Sequence, residues 1–156
     1  MNKFTLEHSL GFMLGVAYRR SVHLMNQLLK QYEITTEQWS VLFHIYSHEG
    51  LNQREIASRA YKDQPTTTRI IDMLEKKNVV VRKPNPADRR AYELFLTDEG
   101  AHLCRLILPL EEKLNADFAE IIPEEDMKVF LRVLNEYHTH VQKQQEEVYE
   151  QKNSSK

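Results

Sequence analysis

The feature that most constrains the fold is a single change of hydrophobic period. Over most of the chain apolar residues recur three and four apart, the spacing of one face of an α-helix, but between Val79 and Leu96 the spacing drops to two. The run "VVVRK" at 79–83 is rich in β-branched residues, and Tyr92, Leu94 and Leu96 alternate with Glu93 and Phe95. Two short strands separated by a loop punctuated by Pro84 and Pro86 read as an antiparallel hairpin. Such a hairpin is marginal on its own in water, so the helices around it must supply the core. The expected fold class is mainly α with a small two-stranded β-wing.

The helical segments carry their own start and stop signals. Phe4 through Leu29 repeat at helical spacing without a proline, which predicts one long amphipathic helix over 4–31. Thr35 with Gln38 predicts a capping box for a second helix running to about His48, and Gly50 is a natural stop. Asn52 with Glu55 predicts a third, short helix, "QREIASRAY", followed by a turn at Tyr61–Asp63. Pro65 fits the first turn of a fourth helix through Lys77, and Asn78 can end it in the left-handed conformation. After the hairpin, Thr97 caps a long helix bearing Leu103, Leu106, Ile107, Leu110, Leu114 and Phe118, with a kink expected at Pro109. Pro123 opens a last helix through Val141, and the polar tail from Gln142 is expected to fray.

Charge is distributed unevenly. The whole chain has 21 basic and 23 acidic residues, a net −2. Residues 52–97 hold ten Lys or Arg against six Asp or Glu, giving +4, so the remainder carries −6. A basic middle between acidic ends suits a module that meets an anionic surface. The longest apolar stretch, "FMLGVAY", falls far short of the ~20 residues of a membrane span, no secretory leader is legible, and the single Cys104 fits a reducing compartment. A soluble, cytoplasmic protein without membrane association is expected.

Helix, helix and hairpin within the basic segment is the order of a winged helix-turn-helix. A recognition helix enters the major groove with its N-terminal residues at base edges. Here those are Gln64, Pro65, Thr66, Thr68 and Arg69, while Thr67, Ile70, Ile71 and Leu74 share the opposite, packing face. Arg69 can pair bidentately with guanine and Gln64 with adenine; threonine hydroxyls can donate or accept, and their methyl groups can meet a thymine methyl. In the hairpin, Asp88, Arg89 and Arg90 stand together. A guanidinium at such a tip can enter the negative minor groove, Asp88 can brace it, and Arg89 is a candidate phosphate contact.

The stretch "DRRAYELFLTDEG" resembles the wing signature of the MarR family of transcriptional regulators, an aspartate, any residue, an arginine, then an alternating strand ending in Leu-Thr-x-x-Gly. "TRIIDMLEKKNVVVRK" is similar to that family's recognition helix and first wing strand, and the element order follows the family along essentially the whole chain. The resemblance implies a homodimer that presents two winged modules to double-stranded DNA at a pseudo-palindromic operator, their recognition helices ~34 Å apart. It implies repression relieved by a small-molecule effector or another signal, with Arg90 as the minor-groove arginine and Asp88 its stabilising partner. The organisation expected is a single regulator domain over 1–156, a DNA-binding lobe over 35–97, and dimerisation helices at 4–31 and 98–148. Asn78 departs from the family's usual glycine, but asparagine also tolerates a positive φ.

Other chemistries find less in the sequence. His44 and His48 are spaced i, i+4, without the companions of a metal site, so neither a metal nor another cofactor is expected. Cys104 lies near an apolar stripe, where buried structural cysteine is the commoner outcome. No phosphate loop or nucleophile motif is present, so no catalytic residue is assigned and the chain reads as a non-enzyme. Tyr18, Trp39 and Tyr46 could line an effector pocket, although core packing suits each better, and the effector site stays unassigned. The reading from another class is a helical dimer that uses its winged module for protein contact and never engages DNA.

Overall fold

The computed structural model describes residues 5–86 and 91–154. Six helices and one hairpin follow in the order α1 (Leu10–Leu29), α2 (Thr36–Ser47), α3 (Gln53–Arg59), α4 (Gln64–Lys76), β1 (Val80–Pro84), β2 (Tyr92–Leu96), α5 (Asp98–Ile121) and α6 (Glu124–Ser154). Two compact units divide the chain, Met1–Glu111 and Glu112–Lys156.

The first helix is shorter than its apolar pattern predicts. Leu6–His8 form a separate 3-10 turn, and Ser9 is extended before α1 begins at Leu10. The cause is local: serine competes with the helix through its own hydroxyl and prefers the capping position, and the Ser9 hydroxyl accepts from the Phe12 N–H. At the other end a 3-10 turn, Lys30–Tyr32, leads to Glu33 at φ +55°.

Both predicted capping boxes form. Thr35 Oγ1 accepts from the Gln38 N–H at 3.2 Å while Gln38 Oε1 accepts from the Thr35 N–H at 3.2 Å. Asn52 and Glu55 exchange the same pair of bonds at 3.0 and 2.8 Å. Each box satisfies two N–H groups that a helix start would otherwise leave unpaired. Asn78 closes α4 at φ +58°, as its short polar side chain allows.

The strands pair antiparallel with Val80 opposite Leu96 and Pro84 opposite Tyr92. A third short segment joins them: the Gly50 N–H donates to the Leu94 carbonyl at 3.2 Å, and the Leu94 N–H to the Leu51 carbonyl at 3.0 Å. Gly50 takes φ +78° to make this approach, so it does more than end α2. The expected inward alternation of Tyr92, Leu94 and Leu96 is only partly realised. Leu94 is buried, but Tyr92 is 54% exposed because it sits at the far end of the pairing, away from the helices.

Leu29, Val41, Leu42, Ile45, Ile56, Ile71, Leu74, Leu94 and Ile107 form the buried core of the first unit. A side chain of this size contributes about 1.5–3 kcal/mol when fully buried. In the second unit α6 remains helical through the polar tail to Ser154, which corrects the expectation of fraying from Gln142. Glutamine, glutamate and lysine are good helix formers, and the Gln142 amide donates to Glu146 one turn on at 3.3 Å. The second unit exposes Phe118, Ile121, Val129, Phe130 and Leu131.

Candidate nucleic-acid interface

The two faces of α4 separate as its wheel predicts. Thr67, Ile70, Ile71 and Leu74 are buried, whereas Gln64, Pro65 and Arg69 are exposed and Thr66 and Thr68 are half-buried. Asp63 caps the helix, its carboxylate accepting from the Thr66 N–H at 2.7 Å and the Thr66 hydroxyl at 2.9 Å. Those two bonds hold the carboxyl below its ordinary value. The Thr67 hydroxyl donates to the Asp63 carbonyl at 2.9 Å, and the Thr68 hydroxyl donates to the Gln64 carbonyl at 2.8 Å while accepting from the Gln53 side-chain amide. The hydroxyl protons of Thr66 and Thr68 are thus engaged within the protein. What these residues can offer a base is a lone pair or a methyl group.

The wing is fastened to this helix by one arginine. Arg82 on β1 donates to Asp72 at 2.7 Å and pairs with Glu75, and its backbone N–H donates to Glu75 as well, at 3.2 Å. Asp72 and Glu75 lie on α4, so the guanidinium ties the hairpin's first strand to the reading helix and neutralises charge that would oppose DNA. Lys62 is similarly paired with Glu37 on α2, Lys77 caps the Glu33 carbonyl at 2.7 Å, and Lys83 stacks 4.5 Å from the Phe95 ring centre. Arg54, Arg69 and Lys76 are exposed and make no ion pair among the described residues. A charge count treats these cations alike, whereas the fold makes braces of Lys62, Lys77, Arg82 and Lys83 and leaves Arg54, Arg69 and Lys76 facing solvent. Asp88, Arg89 and Arg90 lie outside the described residues.

A helix-turn-helix fastened to a hairpin is thus formed, and residues 34–92 match the model of the MarR family. That segment, which holds the helix-turn-helix and the first strand of the wing, is the part of the chain similar to the MarR family. An uncharacterised HTH-type transcriptional regulator of Bacillus cereus is 28% identical over 127 residues, 81% of this chain and 84% of that protein. The S. aureus MepR–DNA complex superposes with a TM-score of 0.81 at 23% identity, covering 88% of this chain and 99% of MepR. The transcriptional repressor CouR, solved on a 23-mer DNA duplex, gives 0.77 at 26% identity over 88% of this chain and 99% of its own.

The geometry also explains the Leu-Thr-x-x-Gly part of the MarR resemblance, which the sequence offered only as a pattern. The Thr97 hydroxyl accepts from the Gly100 N–H at 3.0 Å and donates to the Asn78 carbonyl at 2.7 Å, while the Thr97 N–H donates to the Val79 carbonyl at 3.2 Å. A Cβ on Gly100 would lie 1.9 Å from the Val79 oxygen. The glycine lets the first turn of α5 sit directly on the backbone that joins α4 to the wing.

The roles of Gln53, Glu75 and Arg82 were not legible in advance. Gln53 and Thr68 are fifteen residues apart, and in sequence Arg82 is one cation among several in a basic stretch. Among the described residues no group of three or more His, Cys, Asp or Glu gathers as a metal site. Burial, with Arg59 and His48 nearby, lowers the pKa of His44. Cys104 is fully buried, and that burial pushes its thiol up to about 12, which keeps it protonated and unreactive. Trp39 is buried against Phe43, ring centres 5.6 Å apart, with its indole N–H bonded to Glu111. Tyr18 is exposed. No helix among the described residues is long and apolar enough to cross a membrane.

Proposed function

We propose that the protein is a dimeric repressor that binds a pseudo-palindromic operator and releases it when a small molecule or another signal alters the spacing of its two reading heads. It is a DNA-binding transcriptional regulator of the MarR type and not an enzyme. The observation that carries this reading is the exposed first turn of α4, with Gln64, Pro65, Thr66, Thr68 and Arg69 presented beside a wing that Arg82 fastens to the same helix. CouR, which shares that fold at 26% identity, binds a DNA duplex in its solved structure.

Within this reading Gln64, Thr66, Thr68 and Arg69 face base edges and Pro65 sets the helix start. Arg90 enters the minor groove, Asp88 braces it, and Arg89 meets a phosphate. The DNA-binding lobe spans 35–97, and helices in 4–31 and 98–148 form the dimer within one regulator domain over 1–156. Phe118, Ile121, Phe130 and Leu131 are exposed in the isolated chain, and a second copy would cover such apolar surface. Release is a shift between dimer geometries of unequal DNA affinity, so an effector acts only through its differential binding to them.

The test is selection of genomic fragments by the purified protein, followed by binding of the selected duplex over a salt series. A DNA reader loses affinity steeply as salt rises, and Arg90→Ala should weaken binding at moderate salt. Unchanged operator affinity in Arg90→Ala would remove the wing assignment. A protein-contact module would bind no duplex at any salt, and that alternative is not favoured by relatives that are transcriptional regulators.

A further inference from the structure

An open cleft of about 290 Å³ lies between α3, the start of α4 and the wing, chiefly its second strand β2. Asn52, Gln53, Arg54, Gln64, Arg82 and Tyr92 supply its polar lining, which contains two guanidiniums and no carboxylate. The acids close by in sequence are engaged elsewhere: Glu55 accepts from the Asn52 N–H, and Glu93 accepts from the Asn85 amide. Arg82 is committed to Asp72 and Glu75. Arg54 is exposed and has no carboxylate within ion-pair distance among the described residues. Gln53, its neighbour, is pinned by Thr68.

A helix in the major groove and a wing in the adjacent minor groove must straddle one sugar-phosphate strand, because that strand is what separates the grooves. The cleft occupies that position between the reading elements, with Gln64 of α4 on one side and Tyr92 of β2 on the other. We propose that the cleft seats this intervening strand, with the Arg54 guanidinium and the Tyr92 hydroxyl as its phosphate contacts. The inference rests on the DNA-binding reading above and adds a contact that positions the module without reading sequence.

The experiment is equilibrium binding of the full-length protein to a random-sequence duplex over a salt series, with selected genomic duplex in parallel. Arg54→Gln should reduce the slope of log affinity against log salt by about 0.9 per protomer. Its affinity disadvantage should therefore shrink by about 3.5-fold per protomer contact when salt rises from about 50 to about 200 mM. Both duplexes should be affected alike. Arg54→Lys should restore the slope, and Tyr92→Phe, which removes a neutral donor, should weaken binding without changing the slope. Lys113→Gln, in the second unit, should leave the slope as in the wild type. A wild type that binds no duplex at any salt would remove the DNA reading itself. A steep wild-type slope that Arg54→Gln leaves intact would remove the cleft assignment alone.

Discussion

The substitution Gly100→Ala sets two known effects against each other, and the structure decides between them. By helix propensity alone, alanine for glycine in a helix gains about 1 kcal/mol. The added Cβ, however, would stand 1.9 Å from the Val79 oxygen and 2.9 Å from the Val79 carbonyl carbon. Carbon and carbonyl oxygen settle at about 3.3 Å, so α5 and the wing root must part by more than about 1 Å. Both atoms belong to backbone that is already bonded, and no side chain can swing aside. Overpacking of this kind destabilises by about 1–3 kcal/mol, and losing one of the Thr97 bonds to Asn78 or Val79 adds about 1 kcal/mol. The net expectation is a loss of about 2 kcal/mol, or about 4–8 °C in melting temperature for a chain of this size. Thermal unfolding followed by far-ultraviolet circular dichroism at fixed protein concentration measures it. Gly15→Ala is the internal comparison, since the new Cβ there would meet only the Arg19 guanidinium tip, at 3.2 Å. That variant should melt no lower than the wild type. A Gly100→Ala protein melting at or above the wild type would refute the reasoning, because propensity would then have outweighed the clash.

Three further outcomes are expected. Asn78 at φ +58° should accept glycine without loss, whereas Asn78→Ala should lower stability by about 1 kcal/mol, read from urea midpoints. Cys104, buried with its thiol raised to about 12, should resist aromatic disulfide reagents at about pH 8 until the protein is unfolded; rapid labelling of the native protein would contradict its burial. The Asp63 carboxyl is held below its usual 3.8 by the Thr66 N–H and hydroxyl, so its stabilising contribution is present above that value and is lost as pH falls through the lower native value. Asp63→Asn, which keeps an acceptor for the cap, should flatten that part of the acid limb in urea midpoints measured from about pH 5 down to about pH 2.

Much of the fold was legible because its signals are local. Thr35–Gln38 and Asn52–Glu55 announce helix starts within four residues, and the drop from helical to alternating period between Val79 and Leu96 announces the hairpin. Ser9 misled because the apolar pattern on either side of it is continuous, and pattern alone does not reveal that a hydroxyl has claimed a capping position. The tail from Gln142 misleads in the opposite sense, since its polarity suggests fraying although its residues favour helix. At the interface the faces of α4 followed from the wheel, but the partners of Arg82, the bond from Gln53 to Thr68 and the contact of Gly100 with Val79 depend on tertiary proximity. A charge count could not separate Arg54 from Arg82, because the difference between them is whether folding brings a carboxylate within reach.

The root of the wing has one more property. A two-stranded sheet in solution is all edge, and open edges invite strand addition and aggregation. At the paired residues Arg82 and Leu94 the outward donors are both engaged: the Leu94 N–H and carbonyl are bonded to the 50–51 segment, and the Arg82 N–H is bonded to the Glu75 carboxylate. The hairpin therefore offers no free backbone donor to another strand at that level, and Glu75 acts as a side-chain stopper on an edge that no third strand covers among the described residues.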